Sequence, residues 1–207
     1  MNSFSCVITG HRPTRFKFKY NEKDKRCQRI KKCLQEQLIR LYHQGVRCFW
    51  VGGAMGVDMW AAELLLRMKE QQAYQDVELC LALPFEGYNA DWDDWHRKRM
   101  DFICRYAEKV LVLGEMPSSE SYKKRNYYMV EQAGHMIMSG SFSCLFAMAG
   151  CLGRKPKSFR LTFSFFSNFP SFMRTSPSRC EPASQIILPF LTLNCMSRVT
   201  SASQAHT

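Results

Sequence analysis

The sequence predicts an α/β fold in which a parallel sheet is covered on both faces by helices and followed by an irregular C-terminal tail. Three observations carry this expectation. Short apolar runs alternate with amphipathic stretches at helical spacing through the first two thirds of the 207 residues. Two of those runs end on glycine-containing turns, at Thr9-Gly10 and at Gly52-Gly53. After Ser139 the alternation stops, and the composition changes with it.

Residues 5–9 form a short strand with β-branched members that stops at Gly10. Ile30, Leu34, Leu38, Leu41 and Tyr42 then recur at helical spacing. Lys31, Lys32, Gln35 and Glu36 occupy the opposite face, and Gly45 supplies the stop. Residues 46–51 are apolar almost throughout, as a strand buried on both faces requires. Residues 57–69 read as a helix, and residues 77–83 as a strand ending at Pro84. Trp95, Phe102, Ile103 and Tyr106 line one face of a third helix, residues 109–113 form a fourth strand, and a fourth helix is expected from Tyr122 to about Met138. Four strand–helix units in succession give a parallel, Rossmann-like sheet, assigned to residues 1–140.

Residues 141–207 form an atypical segment. From Ser139 onward there are thirteen serines, nine of the fifteen phenylalanines and no aspartate. Phe163-Ser164-Phe165-Phe166-Ser167-Asn168-Phe169-Pro170 has neither a helical period nor turn logic, and residues 186–193 are at most an edge strand because of Pro189. The segment is either an unusual C-terminal subdomain or, as the leading expectation, a frameshifted or disordered end. The codons for residues 143–149 can be chosen so that another frame spells Leu-Leu-Val-Cys-Asp-Gly.

Composition narrows the function classes. The formal charge is +11, yet residues 1–138 hold 22 basic and 17 acidic residues, while the remainder holds 7 basic residues and Glu181 alone. More than half of the excess therefore sits in the atypical segment, so nucleic acid is not the favoured partner. No run approaches the roughly 20 apolar residues of a membrane span. The N-terminus has no secretory pattern, and the ten cysteines include no Cys-x-x-Cys pair, so a cytoplasmic protein with reduced thiols is expected. His43, His96 and His135 have no partners at metal-ligand spacing; neither a metal nor a cofactor is expected.

In an open parallel sheet, ligands bind beyond the carboxyl ends of the strands, against helix N-termini. Two segments are placed for this. In Thr9-Gly10-His11-Arg12-Pro13, Gly10 allows a close backbone approach, Thr9 and His11 offer hydrogen-bonding groups, and Arg12 offers a fork suited to phosphate. In Gly52-Gly53-Ala54-Met55-Gly56-Val57-Asp58, three glycines open a helix whose free amides and dipole attract an anion. Asp58 is either a contact to ribose or base or a first-turn residue that complements the dipole. Glu63 is either a site carboxylate or a solvated helix residue. The run Thr14-Arg15-Phe16-Lys17-Phe18-Lys19-Tyr20 reads as a basic loop with its aromatics turned inward, in preference to a stacking platform for bases. Gly-x-Gly-x-x-Gly, the P-loop signature and Gly-x-Ser-x-Gly are all absent, which disfavours ordinary dinucleotide dehydrogenases, P-loop NTPases and serine hydrolases.

The Thr9–Pro13 loop, the stretch from Gly52 to Glu63 and Leu83-Pro84-Phe85 together resemble the YpsA-like family of the SLOG superfamily. Tyr122, Arg125-Asn126 and Met129-Val130 fit the same pattern. That superfamily also holds the DNA-processing protein DprA and the LOG phosphoribohydrolases. The resemblance covers residues 3–138 and implies a Rossmann-like fold that binds a nucleotide or nucleotide-derived ligand. It points to Thr9, Gly10, His11, Arg12, Gly52, Gly53, Gly56, Asp58, Glu63, Arg125 and Asn126. It implies no particular reaction. A LOG-type nucleotide hydrolase and a DprA-like single-strand binder stand as alternatives, and a homo-oligomer is compatible with the family. The chain lacks the LOG motif Pro-Gly-Gly-x-Gly-Thr-x-x-Glu. It also lacks the Asp-Gly strand end and Gly-Gly-Thr turn with which the family continues after the fourth helix.

Overall fold

Every apolar run in the first 113 residues becomes a strand of one sheet. The computed structural model describes residues 4–139, 160–164 and 185–186. The strands are β1 (Ser5–Gly10), β2 (Cys48–Val51), β3 (Glu78–Leu83), β4 (Lys109–Val112) and β5 (His135–Ser139), with β6 (Arg160–Ser164) and β7 (Gln185–Ile186) beyond them. The helices are α1 (Lys25–His43), α2 (Val57–Lys69), α3 (Asp94–Tyr106) and α4 (Ser119–Gln132). The strand order is β4-β3-β2-β1-β5-β6-β7, and all neighbours are parallel except β6 and β7.

From β1 to β4 the chain steps in one direction across the sheet. Right-handed crossovers therefore place α1, α2 and α3 on one face. The connection from β4 back to β5 reverses that direction and puts α4 on the other face. The side-chain parity of the strands records this division. Cys6, Ile8, Phe49, Val51, Leu79 and Leu81 pack with Ile30, Leu34 and Leu38 of α1, Trp60 and Leu65 of α2, and Met100 and Ile103 of α3. The alternate residues Val7, Trp50, Cys80 and Ala82 pack with Met129 and Val130 of α4. The strand order turns around between β1 and β5, the switch point at which an open α/β sheet leaves a crevice at its carboxyl end.

Local chemistry sets the helix starts. The Asp24 carboxylate accepts the Arg26 amide at 2.8 Å and so begins α1 one turn earlier than the apolar period alone indicates. Ser118 caps α4 through the Ser121 amide at 3.1 Å. The loop before α1 turns Phe16 and Phe18 into the core, where their rings stack with centroids 4.9 Å apart, as expected for inward aromatics.

The fourth helix differs from its expected span. It ends at Gln132, not near Met138, because Ala133 and Gly134 let the chain turn and Met136, Ile137 and Met138 enter the sheet. His135 accordingly opens a strand and is not helical. This fifth strand lies beside β1, so β4 is the sheet edge by virtue of the strand order and not for want of a fifth strand. Val110 and Val112 are exposed there. Of the residues after 139, β6 pairs with β5 and β7 with β6. The expectations for residues 140–159, 165–184 and 187–207, including the segment 143–149, lie outside the described residues.

Candidate functional site

The two glycine loops touch. β1 and β2 are neighbours in register, so the segments leaving them emerge side by side at the carboxyl end of the sheet. The Val57 amide donates to the His11 carbonyl at 3.4 Å, and the His11 amide donates to the Ser139 carbonyl at 3.0 Å. Gly56 sits so close to the first loop that a Cβ on it would lie 2.6 Å from the His11 carbonyl oxygen and 3.3 Å from the Arg12 Cα. Its φ of +96° lies in the region that side chains avoid. Gly10 is equally constrained, since a Cβ there would meet the Ser139 carbonyl oxygen and the Val57 Cβ, both at 2.6 Å.

Behind the second loop lie a buried carboxylate, Asp58, and a half-buried guanidinium, Arg125. Asp58 accepts the Gly52 amide at 3.1 Å and the Ala54 amide at 3.5 Å through one carboxylate oxygen. Arg125, reaching in from α4, donates to the Gly52 carbonyl at 2.7 Å, and its Nε donates to Asn126 Oδ1 at 3.0 Å. Burial pushes the Asp58 carboxyl above the usual carboxylate range, and the Arg125 charge restrains that rise. Burial likewise pulls the Arg125 guanidinium down, with Asp58 opposing. Asp58 thus binds its own loop from within. The amides of Gly53, Met55 and Gly56 have no acceptor among the described residues.

In front of the loops is a cavity of about 260 Å³ lined by Arg12, Gly52, Ala54, Tyr88, Asp91, Trp92, Tyr122 and Arg125. Four connections contribute: the turns after β1, β2 and β3, and the first turns of α4. The Tyr88 hydroxyl donates to the Gly53 carbonyl at 3.0 Å, and burial pushes that hydroxyl above its ordinary range. The Tyr88 and Trp92 rings meet edge to face with centroids 5.6 Å apart. The Tyr122 ring lies 5.6 Å from the Arg125 guanidinium carbon and packs edge to face on Phe85. Arg12 is exposed, and its side chain makes no hydrogen bond or ion pair among the described residues.

Of the residues expected to form a site, the structure brings Arg12, Gly52 and Arg125 to the cavity, with Gly53, Gly56, Asp58 and Asn126 immediately behind it. Thr9 and Gly10 lie at the end of β1 beneath the loops. His11 is buried and turned toward Phe16, with ring centroids 5.7 Å apart, and burial lowers its basicity. Glu63 is not brought to the cavity. It forms a two-point pair with Arg99 of α3, at 2.7 and 2.9 Å, and Arg99 also binds Glu22 at 2.7 Å. Tyr88, Asp91 and Trp92 did not figure among the expected site residues. Their signal in the sequence is an aromatic and acidic loop placed directly after the third strand, at the same end of the sheet as the two glycine loops. Among the described residues there is no group of three or more side chains able to hold a metal ion, and no helix long and apolar enough to cross a membrane.

The model of the YspA SLOG family matches residues 6–139. Curated relatives include a UPF0398 protein of Bacillus cereus, 29% identical over 134 residues that make up 63% of this chain and 71% of the relative. The UPF0398 protein YpsA of Bacillus subtilis (strain 168) is 23% identical over 134 residues, 64% of this chain and 73% of its own. A UPF0398 protein of Halalkalibacterium halodurans is 27% identical over 111 residues, 53% of this chain and 58% of its own.

Proposed function

The chain belongs to the YspA SLOG family, and from that premise we propose that its cavity binds a nucleotide or nucleotide-derived phosphorylated ligand. One observation carries the reading. Two guanidiniums, Arg12 and Arg125, line the same small cavity as three aromatic rings, directly in front of a glycine loop that opens a helix. The unengaged amides of Gly53, Met55 and Gly56, the positive end of α2 and the unpaired Arg12 fork supply anion recognition. Tyr88, Trp92 and Tyr122 supply faces for a planar base. At about 260 Å³ the cavity falls just below the roughly 300–1,000 Å³ of ordinary ligand pockets, which suits a mononucleotide-sized group better than a dinucleotide. Glu63 is held by Arg99 and lines no part of the cavity, so no acid–base role in glycosidic cleavage is assigned to it. The six described cysteines are all unbridged, which fits a reducing, cytoplasmic setting.

The test is a thermal-shift screen of nucleoside mono- and diphosphates against the full chain, followed by calorimetry on whatever stabilises it. Stabilisation by a mononucleotide that disappears in Arg12→Ala supports the reading. A flat screen across the whole panel contradicts it.

A further inference from the structure

Asp91 is a carboxylate that lines the same cavity as two guanidiniums and pairs with neither. It lies in the loop between β3 and α3, next to Trp92 and three residues after Tyr88. Its neighbours in sequence are differently occupied: Asp93 caps α3 through the His96 amide at 3.1 Å, and Asp94 pairs with Arg97. Asp91 makes no hydrogen bond or ion pair among the described residues, and it is the only carboxylate among the residues lining the cavity. The Arg12 side chain, which lines the same cavity, is also unpaired among the described residues.

A carboxylate beside an anion site is unfavourable unless the ligand brings donors to it. Left alone, it repels a phosphate. An unpaired acid and an unpaired base sharing one small cavity therefore call for a ligand with two chemically different ends, an anion and a set of hydrogen-bond donors. In a nucleotide the vicinal hydroxyls of ribose are such donors, and an acidic side chain is the usual partner for them in Rossmann-like sites. A base stacked on the aromatic residues that line the cavity would leave the sugar hydroxyls for the carboxylate.

We infer that Asp91 selects a ribose-bearing phosphate ester over its deoxyribose counterpart by accepting the sugar hydroxyls. The inference rests on the nucleotide reading of the cavity and adds to it the sugar class and the residue that reads it.

The test uses the full-length protein and Asp91→Ala, an exposed position whose replacement leaves the core untouched. Three probes are titrated by calorimetry: AMP, 2′-deoxy-AMP and inorganic phosphate. The wild type should bind AMP more tightly than its deoxy form, and Asp91→Ala should abolish that preference. The variant should bind AMP about tenfold or more weakly, the usual effect of losing a charged hydrogen-bond acceptor. It should bind inorganic phosphate more tightly, because only the repulsion has been removed. Tighter binding of both AMP and phosphate in the variant overturns the inference, since Asp91 would then act only as a repelling charge. Equal affinity of the wild type for AMP and deoxy-AMP also overturns it, while leaving the nucleotide reading in place. Wild-type protein that binds neither nucleotide removes the nucleotide reading itself, and with it the basis for a role of Asp91.

Discussion

Arg125 and Asp58 grip Gly52 from its two sides: the guanidinium takes its carbonyl at 2.7 Å and the carboxylate takes its amide at 3.1 Å. Arg125 lies 73 positions and Asp58 6 positions from Gly52, on α4 and α2, so one residue ties both faces of the sheet to the second loop. A side chain at position 52 has no room. Its Cβ would lie 2.4 Å from Arg125 Nη1 and 2.9 Å from Asp58 Oδ2. Gly52→Ala should therefore displace the guanidinium, strand a buried carboxylate and cost about 2 kcal/mol or more. Urea denaturation measures it. Gly87→Ala is the control, because a Cβ there meets nothing and only the positive φ of +70° is penalised, by about 1 kcal/mol.

Gly56→Val should remove ligand binding more completely than it removes stability. The new Cβ would press on the His11 carbonyl at 2.6 Å and force the two loops apart. The strain at a φ of +96° adds on the order of 1–3 kcal/mol. Circular dichroism should report a folded protein with a lowered Tm, and calorimetry should report no nucleotide heat. Undiminished affinity would show that the contact between the loops is irrelevant to binding.

Acid stability should depend on Glu22. Burial works against its charge, but hydrogen bonds from Arg99, Lys31 and Trp60 outweigh that and hold its carboxyl down to about 2. A carboxyl whose folded value lies below its unfolded one stabilises the protein above the unfolded value. That stability drains away as pH falls from about 5 towards 2, and it amounts to roughly 3 kcal/mol at most for a group with this exposure. Asp58 acts with the opposite sign. Its raised carboxyl costs stability at neutral pH, and protonation relieves that cost. Glu22→Gln should therefore flatten the loss of stability between pH 5 and 2 compared with wild type, and Asp58→Asn should remove a gain on acidification that is complete by about pH 4. Parallel pH profiles for wild type and Glu22→Gln would contradict the assignment.

The pairing of strands and the division of helices between faces follow from patterns that a sequence displays. Runs such as Phe49-Trp50-Val51 are apolar on both faces, and the glycines after β1 and β2 mark where backbones must approach each other. Less legible was the end of α4, because Met136, Ile137 and Met138 are compatible with either a buried helix or a buried strand, and only pairing with β1 decides between them. The site divides in the same way. Arg12 and the glycine loop announce themselves through local chemistry. Glu63 misleads, because its partner Arg99 lies 36 residues away on α3. Tyr88, Asp91 and Trp92 come to line the cavity only once β3 is placed beside β2, which brings the third loop to the second.

Arg12→Ala bears most directly on the central claim, that the cavity holds a phosphorylated nucleotide through this side chain and the amides of the second loop. Arg12 is exposed and unpaired among the described residues, so its loss should leave the unfolding midpoint within about 0.5 kcal/mol of wild type. Calorimetric titration of the mononucleotide that gives the largest thermal shift should show affinity reduced about tenfold or more, as expected for one charge-assisted bond. Equal affinity in wild type and Arg12→Ala, with both proteins folded, would contradict the account.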